Sequence, residues 1–114
     1  MAMYEYKGNY INGSFIKAEG SSWRTASPAD LEDFIFEVSE NVDHVSKAIN
    51  SAKDAFEVWR KLSLEERKVY LLKLKDIYIK NAEKIAGLIS RETGKPIWET
   101  RGEAKALAGK IDWS

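Results

Sequence analysis

The sequence predicts an α+β chain, with strands in its first third and helices after them. Three observations carry this. Residues 8–18 hold a hairpin signal centred on Asn12-Gly13. From Val45 onward, apolar residues recur at spacings of three and four, the period of one face of a helix. Gly94-Lys95-Pro96 then divides two helical patterns, because glycine can close one helix in the left-handed conformation and proline can open the next.

Asn-Gly is the favoured pair for a two-residue type I′ turn, which needs positive φ at both central positions. Tyr10, Ile11, Phe15 and Ile16 flank it with β-prone side chains. A lone hairpin is marginal in water, so this one must rest on another element. Glu19-Gly20-Ser21-Ser22 reads as a polar loop. Trp23-Arg24-Thr25-Ala26 reads as a short extended segment ended by Ser27-Pro28-Ala29-Asp30, where Pro28 keeps Ser27 out of the helical region. Phe34-Ile35-Phe36-Glu37-Val38 reads as a strand whose nearly continuous apolar run suggests burial on both faces.

Asn41 is the expected N-cap of the first helix, with Asp43 complementing the helix dipole. Val45, Ile49, Ala52, Phe56 and Trp59 form a stripe expected to face a core, leaving Lys47, Lys53, Asp54 and Glu57 to solvent. His44 lies off this stripe and reads as a surface residue. Ser63-Leu64-Glu65-Glu66 is a capping box for the second helix. Val69, Leu71, Leu72, Leu74, Ile77 and Tyr78 form an apolar arc wide enough to expect burial on more than one side. Asn81 marks either the end of that helix or the cap of a continuation through Ile85, Leu88 and Ile89. The last helix starts near Pro96 and carries Ile97, Trp98, Leu107, Ile111 and Trp113. No stop signal follows, so the pattern reads as cut at Ser114.

Composition excludes several functions. Eighteen basic and eighteen acidic residues cancel, and without a basic excess nucleic acid is not an expected partner. No apolar run approaches the roughly 18–20 residues of a membrane helix. The N-terminus lacks a signal pattern, which reads as cytoplasmic. There is no cysteine and only one histidine, which removes disulfides, thiolate chemistry and histidine-rich metal clusters from this chain. No glycine-rich phosphate loop is present. Glu92, Glu99 and Glu103 could lie together, but acid–base work needs a pocket, and a solvated helix face is the simpler reading. Trp23, Trp59, Trp98 and Trp113 fit core or interface packing better than base stacking.

Taken in series, the landmarks resemble the opening of NAD(P)-dependent aldehyde dehydrogenases. Tyr10-Ile11-Asn12-Gly13-Ser14-Phe15 is similar to their "Y-I-N-G-x-[WF]" hairpin. Ser27-Pro28-Ala29 resembles "N-P-A", with serine where asparagine is usual. Ala48-Ile49 through Ala55-Phe56-Glu57-Val58-Trp59 is similar to "A-v-x-x-A-x-x-A-F-x-x-W", and Leu62-Ser63 to Glu66-Arg67 to "L-s-x-x-E-R". Glu92-Thr93-Gly94-Lys95-Pro96 matches "E-T-G-K-P", and Arg91 to Glu99 is similar to the "R-E-T-G-K-P-L-W-E" of succinylglutamate-semialdehyde dehydrogenases. The resemblance covers roughly residues 9–107.

The resemblance implies that residues 1–114 are the N-terminal portion of the coenzyme-binding domain of the α/β aldehyde dehydrogenase fold, with strands over about 8–38, helices over about 42–114 and the catalytic domain absent. In the family a cysteine thiolate attacks the aldehyde, hydride passes to NAD or NADP, and a glutamate-activated water releases the acid. Those groups belong to later segments, so the implied catalytic and cofactor-binding residues here are none. The expected partners are the rest of the enzyme chain and a small-molecule aldehyde, with a homo-oligomer at full length. Some members hold a structural monovalent cation, for which the matching positions are Thr25, Ala26 and Glu92. The helix after the hinge borders the aldehyde entrance in the family, with Glu103 and Leu107 at the relevant positions. The rival reading is a non-catalytic helical interaction module whose Val45–Trp59 stripe docks a partner helix.

Overall fold

A computed structural model describes residues 2–113. Four strands precede three α-helices and a short 3-10 turn, the α+β order read from the sequence. They are β1 (Asn9–Ile11), β2 (Ser14–Ile16), β3 (Ser22–Ser27), β4 (Asp30–Ser39), α1 (Asp43–Trp59), α2 (Leu64–Thr93) and α3 (Ile97–Lys110), then the 3-10 turn Ile111–Trp113. The chain divides into two compact units. One holds the residues up to Ala26 together with Asp30–Lys61; the other holds Ser27–Ala29 with the residues from Leu62 onward.

In the first unit, β1 and β2 pair antiparallel in the register Asn9↔Ile16, Tyr10↔Phe15, Ile11↔Ser14. Asn12 and Gly13 take φ of 51° and 79°, the positive pair that a type I′ turn requires. The pleat sends neighbouring residues to opposite faces. Ile11 is therefore buried, while Tyr10 and Phe15 meet edge to face on the outside with centroids 5.0 Å apart. β3 and β4 form a second two-stranded sheet. Only Pro28 and Ala29 separate them, so they run antiparallel.

The expectation that residues 34–38 are buried on both faces is corrected here. Ile35 is wholly buried, but Phe34 is exposed. A two-stranded sheet has one face to cover, and alternation wins over the apolar run. Tyr4 N–H donates to the Ile35 carbonyl at 2.8 Å, and the Tyr4 ring stacks on Phe36 with centroids 5.4 Å apart.

At the start of α1, Asn41 Oδ1 accepts from Asp43 N–H at 3.0 Å, so the asparagine caps as expected although Val42 is the boundary residue. His44 is not a surface residue. It is 5% exposed, and its Nδ1 lies 3.0 Å from Asn9 Nδ2 of β1. Periodicity placed it off the apolar stripe, yet the stripe is not what α1 buries in this chain. Val45, Ile49, Phe56 and Trp59 are 38–58% exposed, and His44 is the only buried residue of the helix.

In the second unit the capping box forms as predicted. Ser63 Oγ accepts from Glu66 N–H at 3.3 Å, and the Glu66 carboxylate accepts from Ser63 N–H at 2.7 Å. The carboxylate also accepts from Ser63 Oγ–H at 2.8 Å, and the bonds from Ser63 N–H, first, and Ser63 Oγ–H hold the Glu66 carboxyl below its ordinary range. α2 then runs unbroken for 30 residues. Asn81 neither ends nor restarts it; its Nδ2 donates to the Ile77 carbonyl within the helix. Burial of α2 on several sides is also corrected, because Val69, Leu72, Leu74 and Ile77 are exposed. The inner face of α3 is Thr100, Ala104 and Ala108, not its large apolar residues. Small side chains at four-residue spacing let two helices approach closely. Trp98 and Trp113 point outward at 73% and 90% exposure, and Trp23 of the first unit is also exposed.

Candidate functional site

The best-defined polar constellation of the second unit is built on the hinge between α2 and α3. Gly94 ends α2 with φ of 74°, in the left-handed region, and its N–H donates to the Ser90 carbonyl at 2.9 Å. Ser90 Oγ donates to the Lys95 carbonyl at 2.6 Å, and Thr93 Oγ1 accepts from Lys95 N–H at 3.3 Å. The turn is thus fixed by side chains of the preceding helix. Pro96, with φ −60° and ψ 141°, caps α3, and its carbonyl accepts from Glu99 and Thr100 N–H.

This backbone aims the Lys95 side chain along α3. Its ammonium donates to the Glu103 carboxylate and lies 3.9 Å from Glu99. The Glu103 hydrogen bond, then the Glu103 charge, hold the Lys95 ammonium above its ordinary value. On the neighbouring turn Arg101 Nε reaches both Glu83 carboxylate oxygens of α2 at 3.1 Å. Such exposed pairs orient side chains more than they stabilise.

Glu103 is half-buried and Leu107, one turn on, is 39% exposed. The two therefore share a face of α3, the arrangement expected from their i, i+4 spacing. Glu92 is exposed near the end of α2. Thr25 and Ala26 are half-buried in β3 of the first unit, where Thr25 Oγ1 accepts from Phe36 N–H at 3.2 Å. Among the described residues no group of three or more His, Cys, Asp and Glu is placed to hold a metal ion. α2 also carries a shallow groove of about 290 Å3 lined by Ile77, Tyr78, Asn81, Lys84, Ile85 and Leu88.

Glu99 and Glu103 share one ammonium, that of Lys95. Lys95 is the residue that sequence reasoning passed over. Its signal was present, since lysine precedes glutamates four and eight residues on, but the turn that brings position 95 into helical register is not legible from spacing.

Residues 15–114 match the family model described as "Aldehyde dehydrogenase family". The chain is 36% identical over 107 residues to N-succinylglutamate 5-semialdehyde dehydrogenase 2 of Caulobacter vibrioides, covering 94% of this chain and 22% of that one. Among solved structures it is similar to an aldehyde dehydrogenase from Brucella melitensis biovar abortus, with a TM-score of 0.88 and 31% identity over 99% of this chain and 24% of that one. It is also similar to an NAD-dependent aldehyde dehydrogenase from Sinorhizobium meliloti, with a TM-score of 0.83 and 30% identity over 90% and 21% of the two chains. The chain spans about a fifth of the length of the curated relative it matches. No helix among the described residues is long and apolar enough to cross a membrane.

Proposed function

Because the chain belongs to the aldehyde dehydrogenase family, we propose that it serves as the N-terminal portion of the coenzyme-binding domain in a longer enzyme. That enzyme oxidises an aldehyde to a carboxylic acid with NAD or NADP. The aldehyde is a succinylglutamate-type semialdehyde, a reading supported by the name of the Caulobacter relative. Residues 1–114 are not catalytic alone, since they contain no cysteine to attack the carbonyl.

The observation that carries the reading is the mismatch between pattern and burial. α1 and α2 are amphipathic, yet Val45, Ile49, Phe56, Val69 and Ile77 are each at least half exposed. Faces of that kind are interaction surfaces or association liabilities. In the proposed enzyme they lie against the remainder of the coenzyme domain, and the full-length protein is a cytoplasmic homo-oligomer.

Within that enzyme, main-chain oxygens of Thr25 and Ala26 together with Glu92 serve as ligands of a monovalent cation, and Glu103 and Leu107 border the aldehyde entrance. The cation assignment is tested by comparing the melting temperature of the full enzyme in sodium and in a large organic cation at equal ionic strength. Equal values would remove it.

The main test is complementation. The Caulobacter relative is expressed without its matching N-terminal segment, this chain is supplied separately, and aldehyde-dependent NADH formation is followed. Activity above that of either part alone is the expected result; no gain overturns the reading. The exposed α1 stripe also suits the rival, a module that docks a partner helix. A cooperative, monomeric melt of the 114-residue chain would favour that rival.

A further inference from the structure

Three elements of the first unit meet at one polar node. Tyr6 Oη lies 3.0 Å from Asn9 Oδ1 and 3.2 Å from the Ser39 carbonyl at the end of β4. Asn9 Nδ2 lies 3.0 Å from Nδ1 of the buried His44 on α1. With the amide in this orientation, the single hydroxyl proton of Tyr6 faces two acceptors. His44 Nδ1 must then be an unprotonated acceptor. An asparagine amide has nearly the same shape when its oxygen and nitrogen are exchanged. The exchange lets Tyr6 donate to Ser39, Asn9 Nδ2 donate to Tyr6 Oη, and His44 Nδ1–H donate to Asn9 Oδ1. Every contact then has one donor and one acceptor.

We infer that Tyr6, Asn9 and His44 form a directional hydrogen-bonded strap that ties the β1–β2 hairpin to α1 and β4, with His44 in its Nδ1–H form. The hairpin needs such a strap. Its strands are three residues each, Ile11 is its only buried residue, and Tyr10 and Phe15 face outward. A hairpin of that size does not hold itself together in water, and the buried His44 with the half-buried Tyr6 and Asn9 fixes its position only when all three are paired. Releasing the strap frees the hairpin while α1 and the β3–β4 sheet stay formed.

The chain has one histidine, so selective 15N labelling gives a single imidazole to read. In mildly alkaline solution Nδ1 is expected to show the shift of a protonated ring nitrogen and Nε2 that of an unprotonated one. A second measurement is amide hydrogen exchange of Asn9→Asp and Asn9→Leu variants. Asp keeps the acceptor that His44 Nδ1–H needs, so hairpin exchange stays near that of the parent. Leu removes it, and exchange at β1 and β2 rises roughly fivefold or more while mid-α1 amides are unchanged. An unprotonated Nδ1, or an Asn9→Asp hairpin exchanging as fast as the Asn9→Leu one, overturns the inference.

Discussion

The Lys95 ammonium, at the exit of the hinge, donates to the Glu103 carboxylate in the second turn of α3. One side chain thereby ties the turn to the helix that follows it. Its proton is held more tightly in the folded chain than the ordinary value of 10.5. A group raised on folding contributes stability that is complete below its unfolded value and is lost as pH rises through its folded value. Glu103→Gln is therefore expected to lower stability slightly at neutral pH, where the contribution is complete, and to flatten the alkaline limb of a stability–pH profile. Urea melts across that range check it; an unaltered alkaline limb counts against the pair.

The capping box makes the opposite prediction. Glu66 is held below its ordinary value of 4.5 by its bonds to Ser63, so its contribution is present above that value and fades as pH falls through the lower folded one. Ser63→Ala removes the side-chain acceptor and is expected to cost about 1 kcal/mol at neutral pH. Ser63→Asp keeps an acceptor and should retain most of it. Paired denaturant curves distinguish the two.

Two glycines separate conformational strain from collision. A Cβ on Gly94 would sit 3.6 Å from Pro28 Cβ, an ordinary contact, so Gly94→Ala meets only the left-handed backbone cost of roughly 1–2 kcal/mol. A Cβ on Gly8 would lie 2.2 Å from the Ile16 carbonyl oxygen. Gly8→Ala must therefore displace the β2 backbone, and hairpin amide protection is expected to disappear in that variant alone.

The α2–α3 contact depends on small residues. Ala104 is 1% exposed, and Ala104→Leu inserts three carbons into a closed space at a cost of about 1–3 kcal/mol. Ala106→Leu, on the exposed side of the same helix, is expected to be near neutral. Equal effects from the two substitutions would mean that α3 does not pack on α2 through its 100–104–108 face.

If the apolar stripe of α1 is a covering surface, the isolated chain should associate through it. Replacing Ile49 and Phe56 together with lysine leaves the buried His44 node intact and is expected to lower concentration-dependent association in sedimentation experiments. Within a complemented enzyme the same pair of changes should abolish recovery of activity.

Local chemistry decided by a few neighbouring residues was legible in the sequence. Asn12-Gly13 dictated the hairpin turn, Ser63 and Glu66 the start of α2, and Gly94 with Pro96 the hinge, because in each case the controlling forces act within four residues. Periodicity located α1 and α2, and the ordered motifs identified the family. What covers a helix is a different matter, since burial depends on segments far away in sequence. Only the tertiary structure showed that Val45 and Phe56 lie open and that α3 packs through Thr100, Ala104 and Ala108. His44 is the sharpest case. Its neighbours in sequence mark it as a surface residue, and a hydrogen bond with a strand residue 35 positions earlier makes it the buried anchor of α1.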